Sequence, residues 1–293
     1  MGTLFLVATP IGNLEDITLR ALRVLRKVAL IAAEDTRHTR KLLAPFAITT
    51  PLTSYHEHSG PARTDALVAA LAQGDIALVS DAGTPVLSDP GQALVRAALA
   101  AGHAVIPIPG PSAAITALVA SGLPTDQFTF LGFLPRRSAG RRALLARFTQ
   151  ARETLIVYEA PHRLLACLDD LLAVLGDRNA TLARELTKVH EEFRRGRLSA
   201  LRAEYDGGDA PRGEFTIIIS GAEPVVEQET EEARERRAIE HIQVLLASGM
   251  GVREAAVEVA RLTGLPRRQV YRLALDASAE DITSIAVDGH IDQ

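Results

Sequence analysis

Three Gly- and Pro-rich segments carry residue types that can hold a small ligand through backbone groups and short side chains. They are Thr9-Pro10-Ile11-Gly12-Asn13-Leu14, Ser80-Asp81-Ala82-Gly83-Thr84-Pro85-Val86-Leu87-Ser88-Asp89-Pro90-Gly91 and Pro107-Ile108-Pro109-Gly110-Pro111-Ser112-Ala113-Ala114. Gly83 and Gly110 permit backbone geometry closed to other residues, and their small neighbours leave room for a flat ligand such as a purine. Unpaired N–H groups in such loops hydrogen-bond a ligand directly. Each segment alone reads more readily as a strand terminator, and three at one sheet edge weigh against that reading. Three charged clusters add acid–base groups: Glu34-Asp35-Thr36-Arg37-His38-Thr39-Arg40, Tyr158-Glu159-Ala160-Pro161-His162-Arg163 and Ala183-Arg184-Glu185-Leu186-Thr187-Lys188-Val189-His190-Glu191-Glu192. Spacing alone does not separate a chemical role from solvated helix starts, with Asp35 or Thr36 as a cap and Pro161 in a first helical turn. There is no G-x-G-x-x-G after the first apolar run, no Walker A segment, no helical zinc pair and no G-x-S-x-G elbow, so ordinary dinucleotide, NTP and hydrolase chemistry gets no support.

The elements around these loops follow from periodicity. Thr3–Ala8, Val28–Ala33, Ile76–Ser80 and Ala104–Ile108 are predicted strands. Between them the pattern predicts helices over Leu19–Lys27, from a Ser59 cap to Gly74, from Asp89-Pro90 to Gly102, and from a Ser112 cap to Gly122. This alternation predicts an α/β layer with a mainly parallel sheet, whose ligands bind outside the carboxyl ends of the strands. Farther on, predicted strands Phe128–Phe133, Thr154–Tyr158, Thr181–Glu185, Glu192–Arg195 and Glu214–Ser220 are separated by loops, including Gly207-Gly208, as well as by helices around Arg141–Phe148 and Leu164–Leu175. A mixed sheet is expected there. The Pro/Glu/Gln/Thr-rich stretch Ala222–Thr230 reads as a linker to three helices, Glu231–Leu246, Val252–Thr263 and Arg267–Leu275. Thr263-Gly264-Leu265-Pro266 between the last two gives them a helix-turn-helix look.

The composition is that of a globular protein: 293 residues, 47% hydrophobic, 23% charged, net charge −4. One cysteine, Cys167, excludes an internal disulfide framework and a multi-thiolate metal site. The N-terminus lacks the charge pattern of a signal peptide, and Pro107, Pro109, Gly110 and Pro111 interrupt the longest uncharged stretch, so a cytoplasmic protein with no membrane span is the expectation. The acidic sum hides uneven charge. Between Asp126 and Glu153 lie Arg136, Arg137, Arg141, Arg142, Arg147 and Arg152 with no acid; the tail adds Arg261, Arg267, Arg268 and Arg272 with no acid from Val259 to Leu275. Acids gather in the linker and at Asp276, Glu280, Asp281, Asp288 and Asp292. Arginine's planar, multi-donor fork suits phosphate, so both arginine stretches are candidate phosphate contacts, Arg136, Arg137, Arg141, Arg142, Arg267, Arg268 and Arg272 foremost.

The segments Ser80–Pro85 and Pro109–Ala113 resemble the tetrapyrrole methylase superfamily, which binds S-adenosylmethionine. Thr9–Leu14, Glu34–Arg37, Tyr158–Arg163 and Ala183–Lys188 resemble its branch that methylates small-subunit ribosomal RNA at a cytidine ribose 2′-oxygen in the 16S decoding region. The resemblance covers nearly the whole chain. It implies a two-domain fold with a parallel-sheet α/β part (1–112) and a mixed-sheet α/β part (113–222), followed by a helix-turn-helix-like tail (223–293) that anchors RNA. It also implies 16S rRNA or the 30S subunit as partner, a homodimer and no metal. S-adenosylmethionine would lie against Pro10, Gly12, Asp81, Ala82, Gly83, Thr84, Pro85, Val86, Leu87, Ser112 and Ala113, with Tyr158, Ala183 and Thr216 completing the pocket. The superfamily's usual Gly-Asp-Pro is here Gly83-Thr84-Pro85, a hydroxyl in place of a carboxylate.

A ribose hydroxyl is weakly acidic, so methyl transfer to it calls for a base or a cation that stabilises the alkoxide. Glu34, Asp35, His38 and Glu159 are candidate bases; Lys188, Arg37 and Arg163 are candidate stabilisers. Asp35 and Lys188 are taken as the pair. Two other readings remain: a tetrapyrrole or diphthine-type methyltransferase on the same loops, and a ligand-sensing DNA-binding regulator.

Overall fold

The computed structural model describes residues 2–206, 212–223 and 231–287, with side chains described as far as residue 277. The Gly207-Gly208 loop, most of the Ala222–Thr230 linker and the acids Asp288 and Asp292 lie outside the described residues, as do the side chains of Glu280 and Asp281. The chain forms two compact units, Met1–Glu223 and Pro224–Gln293.

The first unit begins with five short strands, β1 (Thr3–Val7), β2 (Leu30–Ala33), β3 (Leu52–Ser54), β4 (Ile76–Val79) and β5 (Ala104–Ile108). They form one sheet in the order β3-β2-β4-β1-β5, every pair parallel. Parallel strands need crossovers, and the amphipathic segments supply them as α1 (Leu19–Lys27), α2 (Thr36–Leu43), α3 (Pro61–Leu71) and α4 (Gln92–Ala100). Central β4 is buried at all four residues. Ala77 and Val79 pack with Leu25 of α1 and Leu42 of α2 on one face. Ile76 and Leu78 pack with Leu67 of α3 and Leu94 of α4 on the other. A strand covered on both faces cannot alternate polar and apolar, which explains its continuous apolar run.

The second sheet has the order β6-β7-β10-β8-β9: β6 (Phe128–Phe133), β7 (Thr154–Glu159), β8 (Asn179–Arg184), β9 (Glu192–Arg197) and β10 (Phe215–Ile219). Only β6 and β7 run parallel; the other neighbours are antiparallel. One face carries α7 (Leu164–Leu175) and α8 (Leu198–Ala203) over the largest apolar cluster, with α6 (Ser138–Leu145) against α7. The other face carries α5 (Ala113–Ser121), whose Ala114, Ala117 and Leu118 pack on Ile156, Ala183 and Ile218. The fold class is therefore the expected one, a parallel α/β layer followed by a mixed one.

Differences in detail have local causes. Val28 is not in β2, because its N–H bonds to the Val24 carbonyl as the C-cap of α1. Helix α4 starts at Gln92, after Gly91 at φ 136°, where a Cβ would meet Leu78. Helix α2 is capped by Asp35, and β3 is three residues long; neither is marked by sequence periodicity.

The second unit comprises α9 (Glu231–Ala247), α10 (Val252–Thr263) and α11 (Arg267–Val287). Ile242, Val259, Leu265, Val270 and Ala274 form its core, and Gly264 ends α10 at φ 70°. Helix α11 runs well past the expected end at Leu275. Among the described residues no helix is long and apolar enough to cross a membrane.

Candidate functional site

The strand order decides where the three Gly- and Pro-rich loops meet. They follow β1, β4 and β5, which are neighbours, and the Glu34–Arg40 cluster follows β2, the other neighbour of β4. Hydrogen bonds join them. Thr9 and Gly83 exchange N–H···O bonds of 2.9 and 3.0 Å, and the Thr84 hydroxyl donates to the Pro111 carbonyl at 3.1 Å. The Asp81 N–H bonds to Glu34 Oε2 at 3.3 Å, and Asp81 Oδ1 accepts the Asp35 N–H at 3.1 Å. The Gly83 N–H and the Thr84 hydroxyl are thus spent on loop-to-loop bonds.

Between this edge and the second sheet lies a cleft with a cavity volume of about 250 Å³. Asp81, Ala82, Gly83, Thr84, Leu87, Ser112 and Ala113 line it from the first side, Tyr158 and Thr216 from the second. Pro10, Gly12, Pro85, Val86 and Ala183, expected to contact the cofactor, are not among the lining residues. Ala183 is fully buried under α5, and a Cβ on Gly12 would come within 2.5 Å of Lys188 Cγ, so this glycine seats the lysine. Ile11, Ser88, Asp89, Glu185 and Leu186, which lie in the quoted loops and charged cluster without being named as contacts, line the cleft as well, as do Phe133, Glu214 and Phe215. Backbone conformation gives one further signal. Val86 and Ser88 on one loop, and Glu185 and Thr187 on the facing one, adopt positive φ of 50–76°. Such conformations cost free energy in non-glycine residues and concentrate at ligand sites.

The lining is acidic: Glu34, Asp81, Asp89, Glu159, Glu185 and Glu214 face it, with Lys188 as the basic side chain. Burial pushes the Asp89 carboxyl up to about 6, against a hydrogen bond from Ser80, and the nearby charges of Glu34 and Asp81 raise it further. Burial likewise raises Glu34 and Tyr158. Lys188 Nζ lies 2.8 Å from Glu185 Oε1.

Asp35 sits differently. It caps α2 through the Arg37 N–H at 2.7 Å and pairs with the Arg37 guanidinium at 3.2 Å. Those hydrogen bonds from Arg37 hold its carboxyl below the usual carboxylate range, and it is not among the lining residues. Arg163 is committed to Glu159 at 3.1 Å and to the Leu134 carbonyl at 2.7 Å. Among the arginines expected to contact RNA, Arg136, Arg137, Arg267, Arg268 and Arg272 are exposed. Arg141 is not: it is 3% exposed and paired at 2.6 Å with Asp170 of α7, which also binds Arg142. A stretch free of acids in sequence is neutralised here by an acid from another helix. No cluster of three or more His, Cys, Asp or Glu side chains among the described residues could hold a metal ion.

The profile of the tetrapyrrole (corrin/porphyrin) methylases matches residues 3–202, and that of the RsmI C-terminal HTH domain matches residues 233–278. The chain is 51% identical over 282 residues to ribosomal RNA small subunit methyltransferase I of a Synechocystis species, spanning 96% of this chain and all of that protein. It is 49% identical to the protein of the same name from Halalkalibacterium halodurans, spanning 93% of this chain and 94% of that one. In fold it is similar to a crystal structure of diphthine synthase, at TM-score 0.59 and 15% identity, over 75% of this chain and 90% of that one. It is similar also to uroporphyrin-III C-methyltransferase of Thermus thermophilus complexed with S-adenosyl homocysteine, at TM-score 0.52 and 22% identity, over 74% and 97%. With both profiles matched in order and relatives aligned over nearly its full length, the chain belongs to the tetrapyrrole (corrin/porphyrin) methylases, in the branch of ribosomal RNA small subunit methyltransferase I.

Proposed function

We propose that this protein methylates the ribose 2′-oxygen of a cytidine in the decoding region of 16S rRNA, with S-adenosylmethionine as donor, in the cytoplasm and as a homodimer. The family assignment supports the chemistry, and the acidic cleft at the joined sheet edges is the observation that carries it. The residues fit the donor, whose sulfonium and ammonium groups outweigh its carboxylate. Glu34, Asp81 and Asp89 oppose that positive charge, and the Ser112 hydroxyl lies at the cleft beside the Tyr158 phenol. Ser112, Ala113, Thr84, Leu87, Tyr158 and Thr216 would hold it.

When bound, S-adenosylmethionine supplies a methyl carbon on positive sulfur, whose bond to carbon breaks as the bond to the ribose oxygen forms. The chain's task is alignment and handling of the hydroxyl proton. A base with a pKa near the working pH does this best, so Asp89, raised to about 6, replaces Asp35 in our assignment. Asp35 retains the role of capping α2. Lys188 stabilises the developing alkoxide from its seat against Gly12. Parts 1–112 and 113–222 form the two walls, and part 223–293 anchors RNA. Arg136, Arg137, Arg267, Arg268 and Arg272 take phosphate, while Arg142 stays with Asp170. The exposed apolar side chains Ile115 and Val119 of α5 supply surface for a second copy.

The test is incubation with label-bearing S-adenosylmethionine and, separately, 30S subunits, naked 16S rRNA, a porphyrinoid and duplex DNA. Label in either RNA sample supports the proposal. Label only in the porphyrinoid, or duplex binding without transfer, overturns it.

A further inference from the structure

Phe133 is an aromatic ring that the first unit leaves more than half exposed. It is 55% exposed, yet lines the cleft. Its direction is set by a break in strand register. Along β6 and β7 the pairs run Phe128↔Thr154, Thr129↔Leu155, Phe130↔Ile156, then Gly132↔Val157 and Phe133↔Tyr158. In a strand without a bulge, Phe133, three residues on, would lie on the opposite sheet face from Phe130, because strand side chains alternate. The bulge returns it to the Phe130 face, and such bulges re-aim side chains beside active sites. Both rings meet Tyr158 edge-on, with centroids at 4.9 Å for Phe130 and 5.6 Å for Phe133. The bulged Leu131 packs into the apolar cluster on the other face. Gly132, at φ 61°, lets β6 approach the cleft loop, since a Cβ there would lie 2.8 Å from Ser88 Oγ.

Beyond Phe133 the chain presents Arg136 and Arg137, both exposed and without an ion-pair partner among the described residues. Arg141 and Arg142, one turn on, are tied to Asp170. An exposed aromatic ring followed three and four residues later by two exposed guanidinium groups is what an unpaired nucleotide needs: a surface for its base and donors for the flanking phosphates.

We propose that Phe133 is the platform on which the base of the acceptor nucleotide stacks, while Arg136 and Arg137 hold the adjoining phosphates. This rests on the RNA acceptor proposed above. Stacking fixes the base without reading its sequence and leaves the ribose to face the methyl donor. The ring contacts the acceptor and makes no contact with the donor.

The chain contains no tryptophan, so Phe133→Trp introduces a sole indole at an exposed position. Its fluorescence is followed on titration with a short single-stranded RNA, with S-adenosyl homocysteine alone, and on dilution of the protein. Quenching by RNA only is expected. Quenching by S-adenosyl homocysteine, a change with protein concentration alone, or no change at all would each overturn the proposal. In parallel, Phe133→Ala on 30S subunits is expected to raise KM for the acceptor about tenfold or more, with S-adenosyl homocysteine affinity unchanged and Phe133→Tyr restoring KM. If the wild-type protein labels RNA and Phe133→Ala does so with unaltered KM, stacking alone is refuted. If the wild-type protein labels no RNA, the acceptor assignment fails and takes the platform with it.

Discussion

The Tyr158 hydroxyl accepts the Ala114 N–H at 3.0 Å, joining the end of β7 to the first turn of α5 across the cleft. Burial raises the Tyr158 pKa, so the phenol stays neutral and keeps a proton to donate. Tyr158→Phe removes one partner and leaves the Ala114 donor unmet. Loss of a typical hydrogen bond weakens S-adenosyl homocysteine binding about fivefold, read by calorimetry, with the circular dichroism spectrum retained. Unchanged affinity would free Tyr158 from the site.

Asp89 is expected to act ionised. Its carboxyl, raised to about 6, is protonated below that pH and charged above it, so the methylation rate should rise with pH through about 6. Asp89→Asn should lower kcat by about 10²–10⁴-fold and abolish that limb. Asp35→Ala, which removes a helix cap, should lower stability and leave the limb in place. The reverse pattern would return the base to Asp35.

Asp170 is a stability residue. Burial raises its carboxyl, but hydrogen bonds from Arg142, Ser138 and Arg141 outweigh this and leave it below the usual carboxylate range. A depressed carboxylate stabilises the fold above its unfolded pKa near 3.8, and that stability fades as pH falls through the folded value. Asp170→Ala strands the buried Arg141 and should cost about 3–5 kcal/mol in urea unfolding at pH 7, with the gap to wild type closing below about pH 4. An equal gap at all pH values would contradict the pairing.

Arg267, Arg268 and Arg272 are exposed on the first turns of α11. If they meet phosphate, replacing all three with Gln should weaken RNA binding and reduce the slope of log affinity against log salt by about 2. Removal of residues 223–293 should do so more strongly. An unchanged slope would remove the second unit from the RNA surface.

Much of the fold is legible in the sequence because buried strands and two-faced helices must repeat with their own periods. Ile76–Val79 and Leu19–Lys27 are examples. Helix α2 and strand β3 are not: α2 has only Thr39, Leu42 and Leu43 buried, and three residues cannot display alternation. The loops that meet at the cleft are visible as Gly and Pro clusters. What each atom does there is not visible, because it depends on partners far along the chain. Thr84 is spent on Pro111, 27 residues away, and Arg141 on Asp170, 29 away. Asp89 gains its raised pKa from burial and from Glu34 and Asp81, which no local motif records. Phe133 reads only as the end of a strand until the bulge turns it to the cleft face.

The central claim is the identity of the methylated atom. 30S subunits labelled by the protein are digested to nucleosides and the position of the label is determined by mass spectrometry. Label on the ribose 2′-oxygen of one cytidine in the decoding region is the expected result. Label on a base, on another ribose, or spread over many sites would contradict it.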